Sequence, residues 1–506
     1  MNIQNETLNK ILFDLSNSKE GAYLEFKESY KEIPREFWKT YSAFANTSGG
    51  FILLGVRETA DNSLLITGVE DAEKLIKNLV TTAQNKNKVS VNLISNEDIS
   101  VHDIGENKII AVYIREASIS QKPVYLNGED NYRNVYIRKY EGDCHATQEE
   151  YRRFIRNTQD NIDEELLNNY NIEDLDERSI LEFKNIINLR YPSKNYLSLD
   201  NLTFLIEMGI FQIDRNDGRK PKLTLAGLLF LGKYDAIRQR LPHFHLEYFN
   251  KRCDPSARWK DRVSTGDLDY HDLNLFQFYK IVLEKLKTTI DEPFELDQRC
   301  VRKSSAELDV ALREALANSV IHADYLDAGD NITITVEPLF YTFLNPGTMK
   351  ISKAQFFIGG QSKPRNNMLI SFFRRMGASE RAGSGGKEIF DVVEKNKFRS
   401  PELETDIDKT YLKLWCASPE SSYNEYSENT RKVLLFIREK QYVKISDLKA
   451  NIKLTSYQIY KALNELLEDK LITTYGKSRA TTYIWQLTTV EKVAQAQKIR
   501  NMLMPM

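Results

Sequence analysis

Apolar positions along the chain follow two periodicities, which predicts a mixture of strands and helices. The apolar run from Phe51 to Val56 is bounded by glycine, as is typical of a buried strand. Further strands are predicted at Lys108 to Ile114 and Arg133 to Ile137. The segment KEIFDVVEK, 387–395, repeats its apolar residues every three or four positions, as an amphipathic helix does. We therefore expect an α+β fold.

Changes in polarity divide the chain into several domains. Residues 157–176 are polar and acidic and predict a boundary, and the polar residues 417–428 predict a linker. We expect a mixed α/β N-terminal domain, a helical bridging region, an α/β sandwich, a compact terminal module and a tail. Their expected bounds are 1–156, 157–250, 251–416, 428–490 and 491–506.

The composition is that of an ordinary globular protein. Of 506 residues, 41% are hydrophobic and 28% charged, which excludes disorder along the whole length. No apolar run approaches the roughly 18 residues of a membrane span, so no membrane partner is expected. The N-terminus lacks the basic start and apolar core of a signal peptide, and we expect a cytoplasmic protein.

Positive charge is concentrated in the terminal module. The whole chain has a formal net charge of -2, but residues 428–485 hold 11 Lys and Arg against 6 Asp and Glu. A cationic module on an acidic body suggests a polyanionic partner, DNA or RNA, for that module.

A polar stripe is predicted on the helix that contains AELDVALREALANSVIHADY. Glu314, Asn318 and His322 are spaced by four residues and share one helical face. The spacing alone also fits a solvated face. In the functional interpretation, the Asn318 oxygen binds Mg²⁺, which prefers oxygen ligands, while Glu314 orients a water molecule.

The sequence after this helix favours a nucleotide site. Two predicted strands, Ile332 to Val336 and Phe340 to Leu344, are followed by Asn345-Pro346-Gly347. The glycines of RAGSGG, 381–386, then precede an amphipathic helix, and backbone N–H groups at such a position can approach a phosphate closely.

Residues 307–395 resemble the GHKL (Bergerat-fold) ATP-binding domain in its divergent bacterial branch. The resemblance rests on EALANSVIHADY, NPG, QSKPRNNMLISFFRRMG and ERAGSGG. It implies ATP and Mg²⁺ as cofactors, with Glu314 as general base and Asn318 as metal ligand, and His322 joins them on the stripe. Members of that family commonly have Asp where this chain has Asn345, which could still accept a hydrogen bond from adenine. The remaining implied nucleotide contacts are Gly347 in the adenine motif and Gly383, Gly385 and Gly386 in a phosphate lid.

The first 156 residues resemble the Schlafen-type, AlbA-related nucleic-acid-binding domain. The resemblance rests on EFK, AFANTSGGFILLGV, KPVYL and YIRKYEG. Some relatives cleave RNA with a metal held by three acids, which correspond here to Glu20, Glu25 and Glu58. A bend at Gly21 would have to bring these acids together, and Glu58 stands where the relatives have Asp. Nucleic-acid binding without cleavage and a scaffold role are the alternatives.

Basic residues of this first domain are candidates for phosphate contacts, although each could equally be a solvated surface charge. They are Lys27, Lys39, Arg57, Arg138 and Lys139.

The terminal module resembles a winged helix-turn-helix. Its predicted order is helix, short strand, helix, turn, helix and hairpin. The resemblance implies that the second long helix enters the major groove of DNA, although such modules also mediate protein contacts. Candidate contacts are Ser456, Tyr457, Gln458 and Lys461 on the helix and Lys477 and Arg479 on the wing.

The order of these domains resembles bacterial ATP-binding transcriptional regulators. The leading hypothesis is an ATP-dependent nucleic-acid-binding protein with weak ATPase activity, acting in transcription or antiphage defence and forming a homo-oligomer. The alternative is an ATP-regulated, metal-dependent endoribonuclease acting on tRNA, other RNA or single-stranded DNA. A purely structural oligomeric scaffold is the third hypothesis.

Overall fold

The computed structural model describes most of the chain as two compact units. One unit comprises residues 1–160 with 406–408, and the other comprises 161–405 with 409–506. The described residues are 8, 12, 20–59, 63–159, 161–253, 256–291, 305–327, 329–360, 362–378, 383–396, 398–418, 422, 423, 425–475, 481–488 and 491. The mixed α/β multidomain organisation expected from the sequence is present.

The first unit is built on a four-stranded mixed sheet in the order β1-β2-β6-β5, in which only the β1–β2 pair is parallel. In the described part of this unit, two short hairpins and several helices accompany the sheet. The elements are β1 (Leu24–Lys27), α1 (Arg35–Asn46), β2 (Gly50–Leu54), β3 (Val56–Glu58), β4 (Leu64–Ile66), α2 (Ala72–Ala83), β5 (Ile99–Ile104), β6 (Asn107–Ile114), β7 (Tyr136–Lys139), β8 (Gly142–His145) and α3 (Gln148–Thr158).

Strand β2 is buried on both faces, which explains its unbroken apolar sequence. Ile52 and Leu54 join one hydrophobic cluster with the aromatic face of α1, and Phe51 and Leu53 join another. The strand ends at Leu54, two residues before the predicted end, and Gly55 follows it with a φ of +89°. A side chain there would collide with the backbone of Gly68, so glycine is required for the turn.

The structure corrects the role predicted for Arg138. Its side chain is buried and forms ion pairs with Glu25 at 2.6 Å and Asp143 at 2.7 Å. Two of its nitrogens also donate to the Gly21 carbonyl, at 2.7 and 3.1 Å. Because a buried guanidinium must be neutralised by such partners, Arg138 joins β7 to β1 in the interior rather than contacting phosphate from the surface.

The second unit contains a six-stranded sheet in the order β12-β11-β13-β14-β16-β15. Helices and one small hairpin, β9–β10, make up the rest of its main body. The elements are α4 (Glu177–Arg190), α5 (Asn201–Glu207), β9 (Phe211–Asp214), β10 (Lys220–Leu223), α6 (Leu225–Leu231), α7 (Tyr234–Arg240), β11 (Leu246–Asn250), β12 (Asp261–Ser264), α8 (Leu275–Asp291), α9 (Ser305–Ile321), β13 (Ile332–Val336), β14 (Phe340–Pro346), α10 (Lys353–Ile358), α11 (Asn367–Met376), α12 (Gly385–Asn396), β15 (Glu402–Thr405) and β16 (Lys409–Trp415).

The expected boundary at residue 250 does not separate two bodies. Strand β11 pairs in parallel with β13 at the centre of the large sheet, although it lies in the region expected to be a helical bridge. One hydrophobic cluster runs from Leu167 to Leu414 and includes both regions. Residues 161–250 are therefore part of the same core as the sheet, because their apolar helices α4 and α6 pack into it.

The terminal module has its own small core. Its elements follow the predicted order, with a three-stranded antiparallel sheet β17-β19-β18. The elements are α13 (Glu428–Lys440), β17 (Tyr442–Lys444), α14 (Ile445–Asn451), α15 (Ser456–Glu468), β18 (Ile472–Tyr475) and β19 (Thr482–Trp485). Lys477 and Arg479, and the predicted tail apart from residue 491, lie outside the described residues. Of the helices in the described part of the chain, none combines the length and apolar character needed to cross a bilayer.

Replacement of Arg138 should destabilise the first unit. Arg138→Ala removes the cation shared by the buried Glu25 and the partly buried Asp143, which costs about 3–5 kcal/mol. Urea titration followed by hydrogen exchange of residues 21–27 and 136–145 measures this loss. Lys139→Ala, which breaks a half-exposed pair with Glu150, should cost less than about 1 kcal/mol. Equal losses for both variants would contradict this prediction.

Candidate functional site

One open cavity lies between α9, the end of β14 and the start of α12 in the second unit. Its empty volume is about 910 Å³, a figure that includes open solvent at its mouth. The residues predicted for nucleotide binding supply much of its wall. Those lining it are Glu314, Asn318, His322, Asn345, Gly383, Gly385 and Gly386.

Helix α9 carries its polar stripe into this cavity rather than into solvent. Apolar residues on its other sides, including Leu312 and Leu316, are buried in the main core. Glu314 is only 3% exposed, which rules out a solvated face at that position. The four-residue spacing therefore places Glu314, Asn318 and His322 along one wall, as the sequence predicted.

Gly385 lies directly against this acid and amide pair. A Cβ atom built on Gly385 would lie 2.8 Å from Glu314 Oε2 and 2.9 Å from Asn318 Nδ2. Helix α12 begins at Gly385, so the first turn of the helix faces both side chains. The free N–H groups of that turn, together with the helix dipole, favour an anion at this end of the cavity.

Glycine suits the other two positions of the predicted phosphate lid, Gly383 and Gly386, for different local reasons. Gly383 has a φ of +82°, and its carbonyl accepts a 3.0 Å hydrogen bond from the Gly360 N–H. A Cβ atom on Gly386 would overlap the Phe356 carbonyl oxygen. Gly386 thus permits close packing of α12 against α10, in addition to lining the cavity.

Asn345 lines the cavity, whereas Gly347, predicted for the same motif, lies in the adjoining turn and is not among the lining residues. Asn345 is buried near the end of β14 and lies opposite Thr410 of β16 in the sheet. Gly347 has a φ of +92°, and a Cβ atom there would lie 2.9 Å from Asp324 Cβ. The Thr410 hydroxyl donates to the Gly347 carbonyl at 2.8 Å and holds this turn in place.

Sequence reasoning did not identify Thr410, Lys350 or Lys363, although all three line the cavity. Thr410 belongs to an ordinary alternating strand, and only the register with Asn345 brings it to the site. Lys350 belongs to no motif, and Lys363 lies in QSKPRNNMLISFFRRMG, which carried the resemblance without giving this lysine a role. They give the cavity positive side chains that a polyphosphate could contact.

Two residues fasten the segment before α11 to the cavity wall. The guanidinium of Arg365 donates to the carbonyls of His322, at 3.2 Å, and Thr348, at 2.9 Å. The Asn366 amide donates to the carbonyls of Ile321 and Ala323, both at 2.8 Å. Together these bonds hold the end of α9 beside the Asn345–Gly347 turn.

A carboxylate distant in sequence caps α11. Asp163 Oδ2 accepts the backbone N–H groups of Met368, at 2.8 Å, and Leu369, at 3.0 Å. Burial raises the pKa of Asp163 to about 6 despite these bonds. The helix it caps carries Ile370 into the cavity, so the region predicted as a passive bridge helps to build the site.

The three acids predicted for RNA cleavage are neighbours in the first unit. Residues 21–24 form a turn, and the Glu20 carboxylate accepts the Phe26 N–H at 3.0 Å. Burial raises the pKa of Glu20, and the nearby charges of Glu25 and Glu58 add to this rise. Glu25, however, is occupied by Arg138 and Lys27. Among the described residues, no three acidic, histidine or cysteine side chains are arranged to hold a metal ion. The predicted metal triad is therefore not assembled.

The other predicted basic contacts of the first unit form ion pairs with carboxylates. Lys27 pairs with Glu25, and three half-exposed side chains pair with further carboxylates. These pairs are Lys39 with Glu36 at 3.0 Å, Arg57 with Glu28 at 3.2 Å, and Lys139 with Glu150 at 2.8 Å.

Some of the residues predicted to contact DNA are exposed on helix α15. Tyr457 is 77% exposed, and Lys461 one turn later is also exposed. Ser456 is the first helical residue, and Thr455 is the N-cap. The Gln458 side chain accepts the Thr455 N–H at 2.9 Å and closes a capping box, so its carbonyl oxygen serves the helix start.

Comparison with family models matches three segments of the chain. Residues 20–147 match "Schlafen, AlbA_2", and residues 329–414 match "Putative ATP-dependent DNA helicase recG C-terminal" (HATPase_c_4). Residues 152–247 match a domain of unknown function, DUF8451. A Schlafen/AlbA_2 domain and a RecG-like C-terminal ATPase-type domain are thus present. They suggest an ATP-dependent protein related to nucleic acids.

Two solved structures show distant likeness. The DIP2311 protein from Corynebacterium diphtheriae is 13% identical, with a TM-score of 0.38, and the match covers 96% of this chain and 100% of that one. The N-terminal domain of a "Putative ATP-dependent DNA Helicase RecG-related Protein" from Nitrosomonas europaea is 22% identical, with a TM-score of 0.20. That match covers 28% of this chain and 94% of that one. No curated protein matches the sequence significantly.

A methyl group at residue 385 should block the cavity. Gly385→Ala is expected to weaken binding of a non-hydrolysable ATP analogue at least tenfold, because the new Cβ atom would press on Glu314 and Asn318. Calorimetric titration measures the change. Gly142→Ala, whose Cβ atom would meet only ordinary contacts, is the control. Unchanged affinity in Gly385→Ala would contradict this reading of the site.

His322 should make stability depend on pH. Burial, with the charges of Arg365 and Lys350, lowers the pKa of His322 from 6.5 to about 4. Between these values the unfolded chain binds the proton more readily, so stability is lost as pH falls from 6.5 towards 4. His322→Gln should reduce the difference between unfolding midpoints at pH 7.5 and pH 5. His271→Gln, at an exposed position, should leave that difference unchanged.

Proposed function

We propose that this protein binds ATP with Mg²⁺ in the cavity of the second unit and uses the bound nucleotide to control its engagement of nucleic acid. The observation that carries this proposal is the approach of Gly385 to Glu314 and Asn318 at the start of a helix. The match of residues 329–414 to an ATPase-type domain supports it. In this proposal the domain is of the GHKL type.

The residues present fit magnesium and a triphosphate. Asn318 would ligate the metal through its amide oxygen, and Mg²⁺ accepts such a ligand while keeping waters and phosphate oxygens. When bound, the metal supplies neutralising charge to the phosphates. Gly385 leaves open the space beside Glu314 and Asn318 that a side chain would fill. The N–H groups at the start of α12 would donate hydrogen bonds to the phosphate oxygens.

Glu314 would activate the attacking water molecule, and Asn345 would hold the adenine base. Glu314 is buried beside the anion end, where its carboxylate would orient a water molecule and take its proton. Asn345 would accept a hydrogen bond from the adenine amino group through a neutral oxygen. A neutral acceptor holds the base less strongly than a carboxylate would.

The end of α12 that is remote from the nucleotide cavity leads to a contact with the terminal module. Shortly after this helix ends, the Arg399 guanidinium lies between the rings of Trp415, at 4.0 Å, and Tyr423, at 4.1 Å. Trp415 ends the large sheet, whereas Tyr423 belongs to the core of the module. A shift of α12 on ATP binding would therefore be transmitted through Arg399 to the start of the terminal module. We propose that this module is a winged helix-turn-helix whose helix α15 contacts duplex DNA.

The assignment of roles separates binding from hydrolysis. Glu314→Ala should still bind ATP but lose hydrolysis, whereas Asn318→Ala should lose the Mg²⁺-dependent part of its affinity. Titration with a non-hydrolysable analogue, with and without Mg²⁺, and a phosphate-release assay measure the two effects. Glu394→Ala, which removes an exposed carboxylate from α12, is the charge-matched control. Absence of any nucleotide binding by the unaltered protein would remove the proposal.

A separate experiment tests whether bound nucleotide controls the binding of nucleic acid. Duplex DNA binding by the full chain, measured by gel shift, should change when the ATP analogue and Mg²⁺ are added, and Asn318→Ala should abolish that change. Cleavage of tRNA incubated with the protein and Mg²⁺ would instead favour the ribonuclease hypothesis. Regulation of transcription, antiphage defence, a cytoplasmic location and homo-oligomerisation remain predictions.

A further inference from the structure

The three-stranded sheet of the terminal module has an outward face that the helix-based proposal does not use. The cross-strand register places Tyr442, Ile484 and Thr473 side by side in one row. Lys444, Thr482 and Tyr475 form the next row on the same face, two residues further along each strand. We call these six residues the outer sheet face.

Burial distinguishes the face of the sheet that packs on the core from the face that is exposed to solvent. The alternate residues Val443, Tyr483 and Trp485 are buried in the core of the module, against α13 and α15. On the outer sheet face, by contrast, Tyr442 is 70% exposed and Tyr475 is 73% exposed. Lys444 is also exposed. The outer sheet face therefore presents two large aromatic rings and a cation to solvent.

We propose that the outer sheet face binds single-stranded DNA, with unpaired bases stacked on Tyr442 and Tyr475 and a backbone phosphate at Lys444. Exposed aromatic rings on a sheet suit unpaired bases, because every base has a flat π face and stacking does not depend on sequence. The two tyrosines lie on the outer strands, two strand spacings apart, so their Cα atoms are about 10–12 Å from each other. Each ring is then able to take a separate base.

Charge and location favour DNA as the occupant. The module carries 11 Lys and Arg against 6 Asp and Glu, which attracts a phosphate backbone. Helix α15 packs on the inner side of the sheet through Ile459 and Leu463, so its exposed Tyr457 lies on a different surface. Duplex DNA at the helix and an unpaired strand at the outer sheet face can therefore be held by one module.

The test compares single-stranded and duplex DNA on the full-length protein. Tyr442→Ala and Tyr475→Ala should each weaken binding of fluorescein-labelled oligothymidylate about tenfold in fluorescence anisotropy, because each removes one stacking surface. Tyr442→Phe and Tyr475→Phe keep the ring and should bind as the unaltered protein does. Duplex binding should be unchanged in all four variants. Far-ultraviolet circular dichroism checks that the module remains folded.

Four binding results would overturn the inference. They are no binding of oligothymidylate by the unaltered protein, equal binding by the alanine variants, parallel loss of duplex binding, and loss confined to oligouridylate RNA. A change only in oligomeric state would assign the face to a second copy of the chain and also overturn it. Tyr457→Ala tests the helix separately. If duplex binding survives that substitution, the proposed role of α15 fails. The proposal for the outer sheet face then still depends only on the binding of oligothymidylate.

Discussion

The close approach of two helices at Gly385 is the constraint on which the candidate site depends. A side chain at this position would press on Glu314 Oε2 and Asn318 Nδ2, so only glycine allows α12 to begin against α9. The approach faces the start of one helix toward a carboxylate and an amide on another. Backbone donors, a carboxylate and a neutral oxygen ligand are thereby combined within a few ångströms, which neither helix could achieve alone.

Buried charged residues hold the surroundings of this site in place. Arg365 joins the turn after α9 to the loop after β14, and Asp163 caps α11 from a point about two hundred residues earlier in the chain. A buried charge is costly unless it is paired or bonded, so each of these residues specifies one arrangement of the elements around it. In the first unit Arg138 plays the same part between Glu25 and Asp143. The same pairing explains why Glu25 is not available to a metal triad.

Coupling between nucleotide and nucleic acid would require a mechanical connection, and Arg399 supplies one within the second unit. It is sandwiched between the last strand of the large sheet and the root of the terminal module, with a further hydrogen bond to the Ser422 carbonyl at 3.2 Å. Such a cation between two aromatic rings is stabilised on both faces. Helix α12 therefore has the nucleotide cavity at its beginning and this contact just after its end.

The amino-acid sequence by itself determined the local elements and the chemistry they carry. Spacing by four placed Glu314, Asn318 and His322 on one helical stripe, and glycines before an amphipathic segment indicated an anion site, because helix periodicity and backbone sterics act over a few residues. Tertiary structure decided what depends on residues far apart in the chain. Thr410 enters the site only through its register with Asn345, and Asp163 only through α11. Strand β11 joins the large sheet although it lies in the region expected to be a helical bridge. Arg138 likewise looked like a surface cation, since nothing within a few residues of it indicates that β7 and β1 meet. Such contacts are set by packing of the whole core, which local sequence patterns do not encode.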